Sequence, residues 1–176
     1  DVANIIQQRL KYVLLVDLVE VSLKKAMNMV RKFQNIYHDK RTVFDTLPLD
    51  LCQNNISVLN NKIKFKFDAI SIQFAFHYMM QSLETFNNLF SVINGFIKRG
   101  GIFFMTCFDG SVVSRELAKS GDRSANGNRQ IVISVEGEPD KILFRIEQLY
   151  NDDDVAEFGR AINVFIYSIG EHVEYL

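Results

Sequence analysis

The stretch KYVLLVDLV, residues 11–19, decides the fold. It is an unbroken aliphatic and β-branched run with an acid, Asp17, near its end. Such a run suits a strand of a parallel sheet, buried on both faces. EVSLKKAMNMVRKFQNIY (20–37) follows, with Val21, Leu23, Ala26, Met27, Val30 and Phe33 at helical spacing. RTVFD (41–45) predicts a second strand, and TLPLDLCQNNISVLNNKIKFK a loop with a short helix. FDAISIQFA (67–75) predicts a third strand. SLETFNNLFSVINGFIKRGG (82–101) predicts a helix capped by Ser82, with Lys98 and Arg99 in its last turn and Gly100-Gly101 as its stop. IFFMTCF (102–108) predicts another buried strand. Strands alternating with helices give the doubly wound α/β pattern, whose strand order cannot be read from sequence.

Upstream, DVANIIQQRLKY resembles a helix of the kind that follows a glycine-rich turn. Beyond residue 120 the chain changes character. SGDRSANGN (120–128) is a polar loop expected to be flexible. NRQIVISVEGEPDKILFRIEQLY (128–150) holds two β-rich runs around EGEPD, a hairpin signal, and INVFIYSI (162–169) is a further strand. No repeat, low-complexity tract or linker divides the 176 residues, so one domain is expected.

Composition narrows the function classes. Hydrophobic residues make up 48% and charged residues 23%, as in ordinary globular proteins. No apolar run reaches the ~18 residues of a membrane helix. A net charge of −1 offers no global field for a long phosphate backbone. Two cysteines, Cys52 and Cys107, and three histidines lack metal-type spacing, so no metal site is expected and the thiols suit a reducing, cytoplasmic compartment.

In open α/β sheets ligands bind at the carboxyl ends of the strands. Asp17 ends the first predicted strand and Asp45 the second; Gln73, His77 and Tyr78 lie at or just past the end of the third. A carboxylate can accept both hydroxyls of a ribose diol. Each residue also has a plainer reading. Asp17 suits a helix cap, Asp45 a turn before Thr46-Leu47-Pro48, and His77 a structural histidine; Phe74 and Phe76 read as core.

VLLVDLVEVSLKKAMNMV and FDAISIQFAFHYMMQSLETFNNLFSVINGFIKRGGIFFMTCFDGSVV together resemble the messenger-RNA cap (guanine-N7) methyltransferases. The specific element is Gln-Phe-x-x-His-Tyr, then a long helix, Gly-Gly and a strand; Gln73, Phe74, His77 and Tyr78 match it in order. EFGRAINVFIYSIGEHVEYL is similar to the segment that closes the family on Glu-Tyr or Glu-Phe. One departure stands at Thr106-Cys107-Phe108-Asp109-Gly110, where Phe108 takes the place of the family's proline and the ending is more like capping enzymes of large cytoplasmic DNA viruses.

The resemblance implies a Rossmann-like class I S-adenosylmethionine-dependent methyltransferase, mostly parallel with added antiparallel strands after residue 120. It implies a fragment, with the glycine-rich turn ahead of Asp1 and the C-terminal end missing. S-adenosylmethionine would be held by Asp17, Leu18, Asp45, Gln73, Phe74 and Tyr78, with Asp17 on the ribose, Asp45 (or Asp50) near the adenine, and the Gln73 carbonyl at the methionine end. Phe74, His77, Tyr78 and Glu174 would form the pocket for the cap guanine. No residue would act as a base. The implied partners are the capped 5′ end of mRNA and covalently attached triphosphatase and guanylyltransferase domains, with no membrane, in the host cytoplasm or the virion. Two other classes stay open: a non-catalytic methyltransferase-like subunit, and a methyltransferase for another substrate.

Overall fold

The computed structural model describes residues 2–8, 10–39, 41–151 and 158–176; Asp1 lies outside them. The chain divides into two compact units, Asp1–Leu51 and Cys52–Leu176.

The first unit is built on a strand–helix–strand crossover. Helix α1 (Val2–Gln7) precedes strand β1 (Tyr12–Asp17), helix α2 (Glu20–Ile36) and strand β2 (Val43–Pro48). β1 and β2 pair in parallel from Tyr12↔Val43 to Asp17↔Pro48. A parallel pair needs a crossover, and the α2 periodicity supplies one with an apolar stripe. Ile6 and Val30 are buried where α1 meets α2, with Leu15, Met27, Phe33 and Phe44 packed around them. Burying each contributes roughly 1.5–3 kcal/mol.

β2 starts and ends later than the sequence predicts. The Asp39 carboxylate accepts the Arg41 and Thr42 N–H groups at 3.0 and 3.4 Å, a local turn that holds the chain out of the ladder until Val43. The strand then runs through Asp45 to Pro48, and Pro48, with no N–H to give, closes it.

The second unit begins with α3 (Ile56–Lys62), strand β3 (Phe67–Gln73) and a 3-10 turn (Phe76–Gln81). Helix α4 (Leu83–Phe96) and strand β4 (Ile97–Thr106) follow, and β3 and β4 pair in parallel. Ser82 caps α4 as expected: its hydroxyl accepts the Thr85 N–H, and the Thr85 hydroxyl accepts the Ser82 N–H. The predicted C-terminus is wrong. α4 ends at Phe96, and Lys98, Arg99, Gly100 and Gly101 belong to β4. The ladder jumps from Phe67↔Ile97 to Ala69↔Ile102, so the Gly-Gly pair makes a bulge instead of a helix stop. Gly100 has φ +78°, and a Cβ on Gly101 would sit 3.0 Å from the Asp68 carbonyl oxygen. Lys98 pairs with Asp68 across the bulge at 2.6 Å.

Helix α5 (Gly110–Lys119) was not foreseen. Asp109 caps it, accepting from the Ser111 and Val112 N–H groups at 3.0 and 3.2 Å. Strands β5 (Gln130–Val135), β6 (Glu138–Gln148), β7 (Ala161–Ile166) and β8 (Gly170–Tyr175) form an antiparallel sheet in the order β5-β6-β7-β8. The hairpin at Glu136-Gly137 and the antiparallel region after residue 120 are as expected, but β8 is additional. Val113 and Leu117 of α5 pack on Ile146, Ile162 and Val164 of the sheet. Phe108 joins this cluster, 6.2 Å from the Phe144 ring, so its role is core packing. The 120–128 loop is tied down: Ser124 and Asn128 donate to the buried Glu147 carboxylate at 2.6 and 3.0 Å.

Candidate functional site

In the second unit the site is built around the carboxyl end of β3. Gln73 and Thr106 are register partners at the last rung of the parallel pair. The Thr106 hydroxyl donates to Gln73 Oε1 at 2.9 Å, and the Gln73 amide donates to the Ser71 hydroxyl at 2.8 Å. The next residue, Phe74, has φ +51° and leaves its side chain 69% exposed. A bulky residue in left-handed backbone is uncommon and costs on the order of 1–2 kcal/mol. Its N–H is clamped by both the Thr106 carbonyl at 3.0 Å and the Thr106 hydroxyl at 3.2 Å.

That kink delivers the chain into the 3-10 turn. Phe76 and Met79 are buried and anchor the turn; Tyr78, between them, is 42% exposed. Further ties come from Gly159, whose N–H donates to the Met80 carbonyl at 2.9 Å, and from Thr85, whose hydroxyl reaches the Met79 carbonyl at 2.9 Å. The Cys52 thiol approaches the Tyr78 carbonyl at 3.6 Å.

His77 and Glu174 meet although 97 positions separate them in sequence, because β8 packs against the turn. His77 Nδ1 lies 3.2 Å from Glu174 Oε2, and both side chains are buried. The distance is within ion-pair reach, but burial, with the nearby His172, lowers the His77 pKa from its usual 6.5 to about 4. We therefore read His77 as neutral. The contact is also poorly aligned, so Glu174 Oε2 has no hydrogen-bond partner among the described residues, and neither has the other ring nitrogen, His77 Nε2. Glu174 Oε1 is 2.7 Å from His172 Nε2. Burial raises the Glu174 pKa, and the hydrogen bond and charge of His172 oppose that rise. The Tyr78 ring stacks edge-on against His77, with centroids 4.1 Å apart.

In the first unit, Asp17 and Leu18 lie at the carboxyl end of β1, both exposed. Asp17 is not the helix cap: Val19 is, and Asp17 Oδ1 accepts the Val19 N–H at 2.7 Å in a turn just ahead of α2. Asp45 does not end β2. It sits opposite Leu14 within the pair, bound to the Tyr12 hydroxyl at 3.2 Å and to the Thr46 N–H at 2.8 Å. The acid beyond the end of β2 is Asp50, next to Leu49, whose N–H donates to the Asp17 carbonyl at 3.1 Å.

Thus Gln73, Phe74, His77, Tyr78 and Glu174 fall within one unit, with His77 in contact with both Tyr78 and Glu174. Asp17, Leu18 and Asp50 share one end of the other unit's strand pair. Sequence reasoning missed His172. The signal was the spacing His-x-Glu on a strand, which places both side chains on one face.

The mRNA (guanine-N(7))-methyltransferase domain family matches residues 1–166. The chain is similar to the "Probable mRNA-capping enzyme" of Acanthamoeba polyphaga mimivirus, 26% identical over 155 residues. That alignment covers 82% of this chain and 12% of the relative. Its fold is like that in a crystal structure of an S-adenosylmethionine-dependent methyltransferase from Clostridium acetobutylicum, with TM-score 0.54 and 19% identity over 94% of this chain and 56% of that one. A match running from the first residue to the end of β7 leaves only β8 outside it, and the chain belongs to the mRNA (guanine-N(7))-methyltransferase domain family.

Proposed function

We propose that this domain transfers a methyl group from S-adenosylmethionine to N7 of the guanine in a GpppN cap, on a Rossmann-like class I methyltransferase fold. The observation that carries this reading is the buried Glu174 carboxylate with one oxygen lacking a hydrogen-bond partner among the described residues, beside His77, whose ring also meets the exposed Tyr78. An ionised carboxylate only accepts, and the Watson–Crick edge of guanine offers N–H donors at N1 and N2. His77 Nε2, also unpartnered among the described residues, is a second polar atom for the base edge: with the one proton of the neutral ring on Nδ1, toward the carboxylate, Nε2 accepts. Phe74 and Tyr78 expose aromatic faces suited to stacking on a base. Glu174 lies beyond the matched residues, so its assignment rests on its contact with His77.

The first unit fits the nucleoside part of the methyl donor. Asp17 presents an exposed carboxylate at a strand's carboxyl end, as a ribose diol requires, and Leu18 beside it is 67% exposed, offering an apolar face. Asp50 takes the role near adenine first given to Asp45, whose carboxylate is engaged by Tyr12. Gln73, with its side chain held by Thr106 and Ser71, offers its backbone carbonyl to the methionine end.

S-adenosylmethionine supplies an electrophilic methyl group on a sulfonium. Guanine N7 brings a lone pair and no proton, so no residue has to remove one. The chain's residues act by binding and orienting, and orientation alone supplies on the order of 7–11 kcal/mol in well-aligned systems. His77, held neutral by burial, is suited to hydrogen bonding and not to proton shuttling at neutral pH.

We extend the reading to a longer capping enzyme, with triphosphatase and guanylyltransferase activities on the same polypeptide, working in the host cytoplasm or the virion; the mimivirus relative, of which this chain covers 12%, supports the greater length. No helix among the described residues is long and apolar enough to cross a membrane. The test is transfer of labelled methyl from S-adenosylmethionine to GpppA-capped RNA, with free GTP and unrelated acceptors alongside. Label at N7 of the cap is expected. Label only on another acceptor, or none, overturns the reading.

A further inference from the structure

The proposed guanine acid is not held by the turn it faces. Its approach to His77 lacks hydrogen-bond alignment, and its one aligned side-chain partner among the described residues is His172 Nε2 at 2.7 Å. His172 and Glu174 are two apart on β8, so the strand's alternation puts both on one face. Behind them, the register partners Val164 and Ile162 of β7 are fully buried and offer no polar group. Without His172, the carboxylate would have one poorly aligned contact in an apolar setting. A buried carboxyl in such a setting protonates or swings away, and a protonated acid no longer presents two acceptor oxygens.

We propose that His172 is a positioning residue for guanine recognition: its Nε2–H holds the Glu174 carboxylate in the orientation in which the free oxygen can accept from the base. This rests on the reading of Glu174 given above and adds a second residue to it. His172 Nδ1 has no partner among the described residues, so the imidazole donates at Nε2 and leaves Nδ1 without a required proton.

Two substitutions of similar polarity separate position from bulk. The Gln side-chain amide reaches where Nε2 stands, whereas the Asn amide stops near Nδ1. In the full-length protein, His172→Gln is expected to keep the KM for GpppA within about threefold, while His172→Asn raises it ~10- to 100-fold, the loss that goes with a hydrogen bond to a charged group. S-adenosylmethionine affinity is expected to stay unchanged in both, and melting temperature to stay unchanged in the Gln variant and to fall by a few degrees in the Asn variant, whose buried carboxylate loses its partner. Preference for GpppA over IpppA, which lacks the N2 amine, is expected to survive in the Gln variant and collapse in the Asn variant. Equal behaviour of the two variants overturns the proposal. Imidazole nitrogen shifts of unsubstituted protein give an answer that needs no variant to fold: a proton on Nε2 is expected, and a bare Nε2 overturns it. Glu174→Ala with normal GpppA methylation removes the guanine reading itself. Impaired Glu174→Ala with unimpaired His172→Asn removes only the role of His172.

Discussion

Thr106 and Phe74 are locked together at the last rung of the parallel pair: the Thr106 hydroxyl and carbonyl both take the Phe74 N–H, at 3.2 and 3.0 Å. This clamp holds Phe74 at φ +51° and its ring in the open. Glycine relieves left-handed strain but removes the ring. Phe74→Gly is expected to leave stability unchanged or raise it by up to about 1 kcal/mol while cap methylation falls. Thermal unfolding and methyl transfer, measured on the same sample, check the opposite signs.

Tyr78→Ala removes an exposed ring from a turn anchored by Phe76 and Met79. The fold is expected to persist and S-adenosylmethionine to bind, with KM for the cap rising by on the order of 10- to 100-fold, as for loss of a base-stacking aromatic. Unchanged cap kinetics would remove Tyr78 from the pocket.

Asp17, Asp45 and Asp50 of the first unit separate by assay. Asp17→Ala and Asp50→Ala are expected to weaken S-adenosylmethionine binding, each hydrogen bond to a charged acceptor being worth roughly 1.5–3 kcal/mol. Asp45→Ala loses the Tyr12 hydroxyl contact and is expected to cost about 1 kcal/mol of stability with affinity intact. Calorimetric titration beside thermal unfolding distinguishes the two patterns; an affinity loss in Asp45→Ala alone would restore the original assignment.

Acid should loosen the second unit through His77. Its folded pKa, about 4, lies below the usual 6.5. The folded state therefore binds fewer protons, and the contribution is present above pH ~6.5 and lost as pH falls toward 4. The full loss is on the order of 3 kcal/mol. Glu174, facing His77 and His172, has a raised pKa and works in the other direction, favouring the folded state at low pH and losing that contribution as pH rises. His77→Gln is expected to flatten the fall in stability between pH 6.5 and 4, read by melting temperature across that range.

Gly101 allows β3 and β4 to close over the bulge. Gly101→Ala brings a Cβ within 2.8 Å of the Ile97 side chain and 3.0 Å of two carbonyl oxygens. A loss of roughly 1–3 kcal/mol is expected in denaturant unfolding, as for overpacking.

Much of this was legible in the residues. The unbroken run at 12–17 and the stripe from Leu23 to Phe33 announced the first crossover, and Ser82 announced the start of α4. Gly100-Gly101 misled because a glycine pair after a helical period looks the same whether it ends a helix or relaxes a ladder; only the partner strand decides. Asp45 misled for a related reason: where β2 ends depends on β1 beside it and on the turn at Asp39, not on its own composition. His77 and Glu174 were each nameable from the family pattern. Their contact is long-range and no local rule carries it, and His172 was passed over because its His-x-Glu spacing gains meaning only once 170–175 is known to be a strand.

β8, like β5, is an edge strand of the four-stranded antiparallel sheet, paired on one side only among the described residues. Marginal strands detach at lower free-energy cost than central ones. On warming, base selectivity should therefore fade before the methyl donor is released, and amide exchange along 170–175 should outrun that of β6 and β7. The strand proposed to tell one purine from another would be among the parts most readily peeled away.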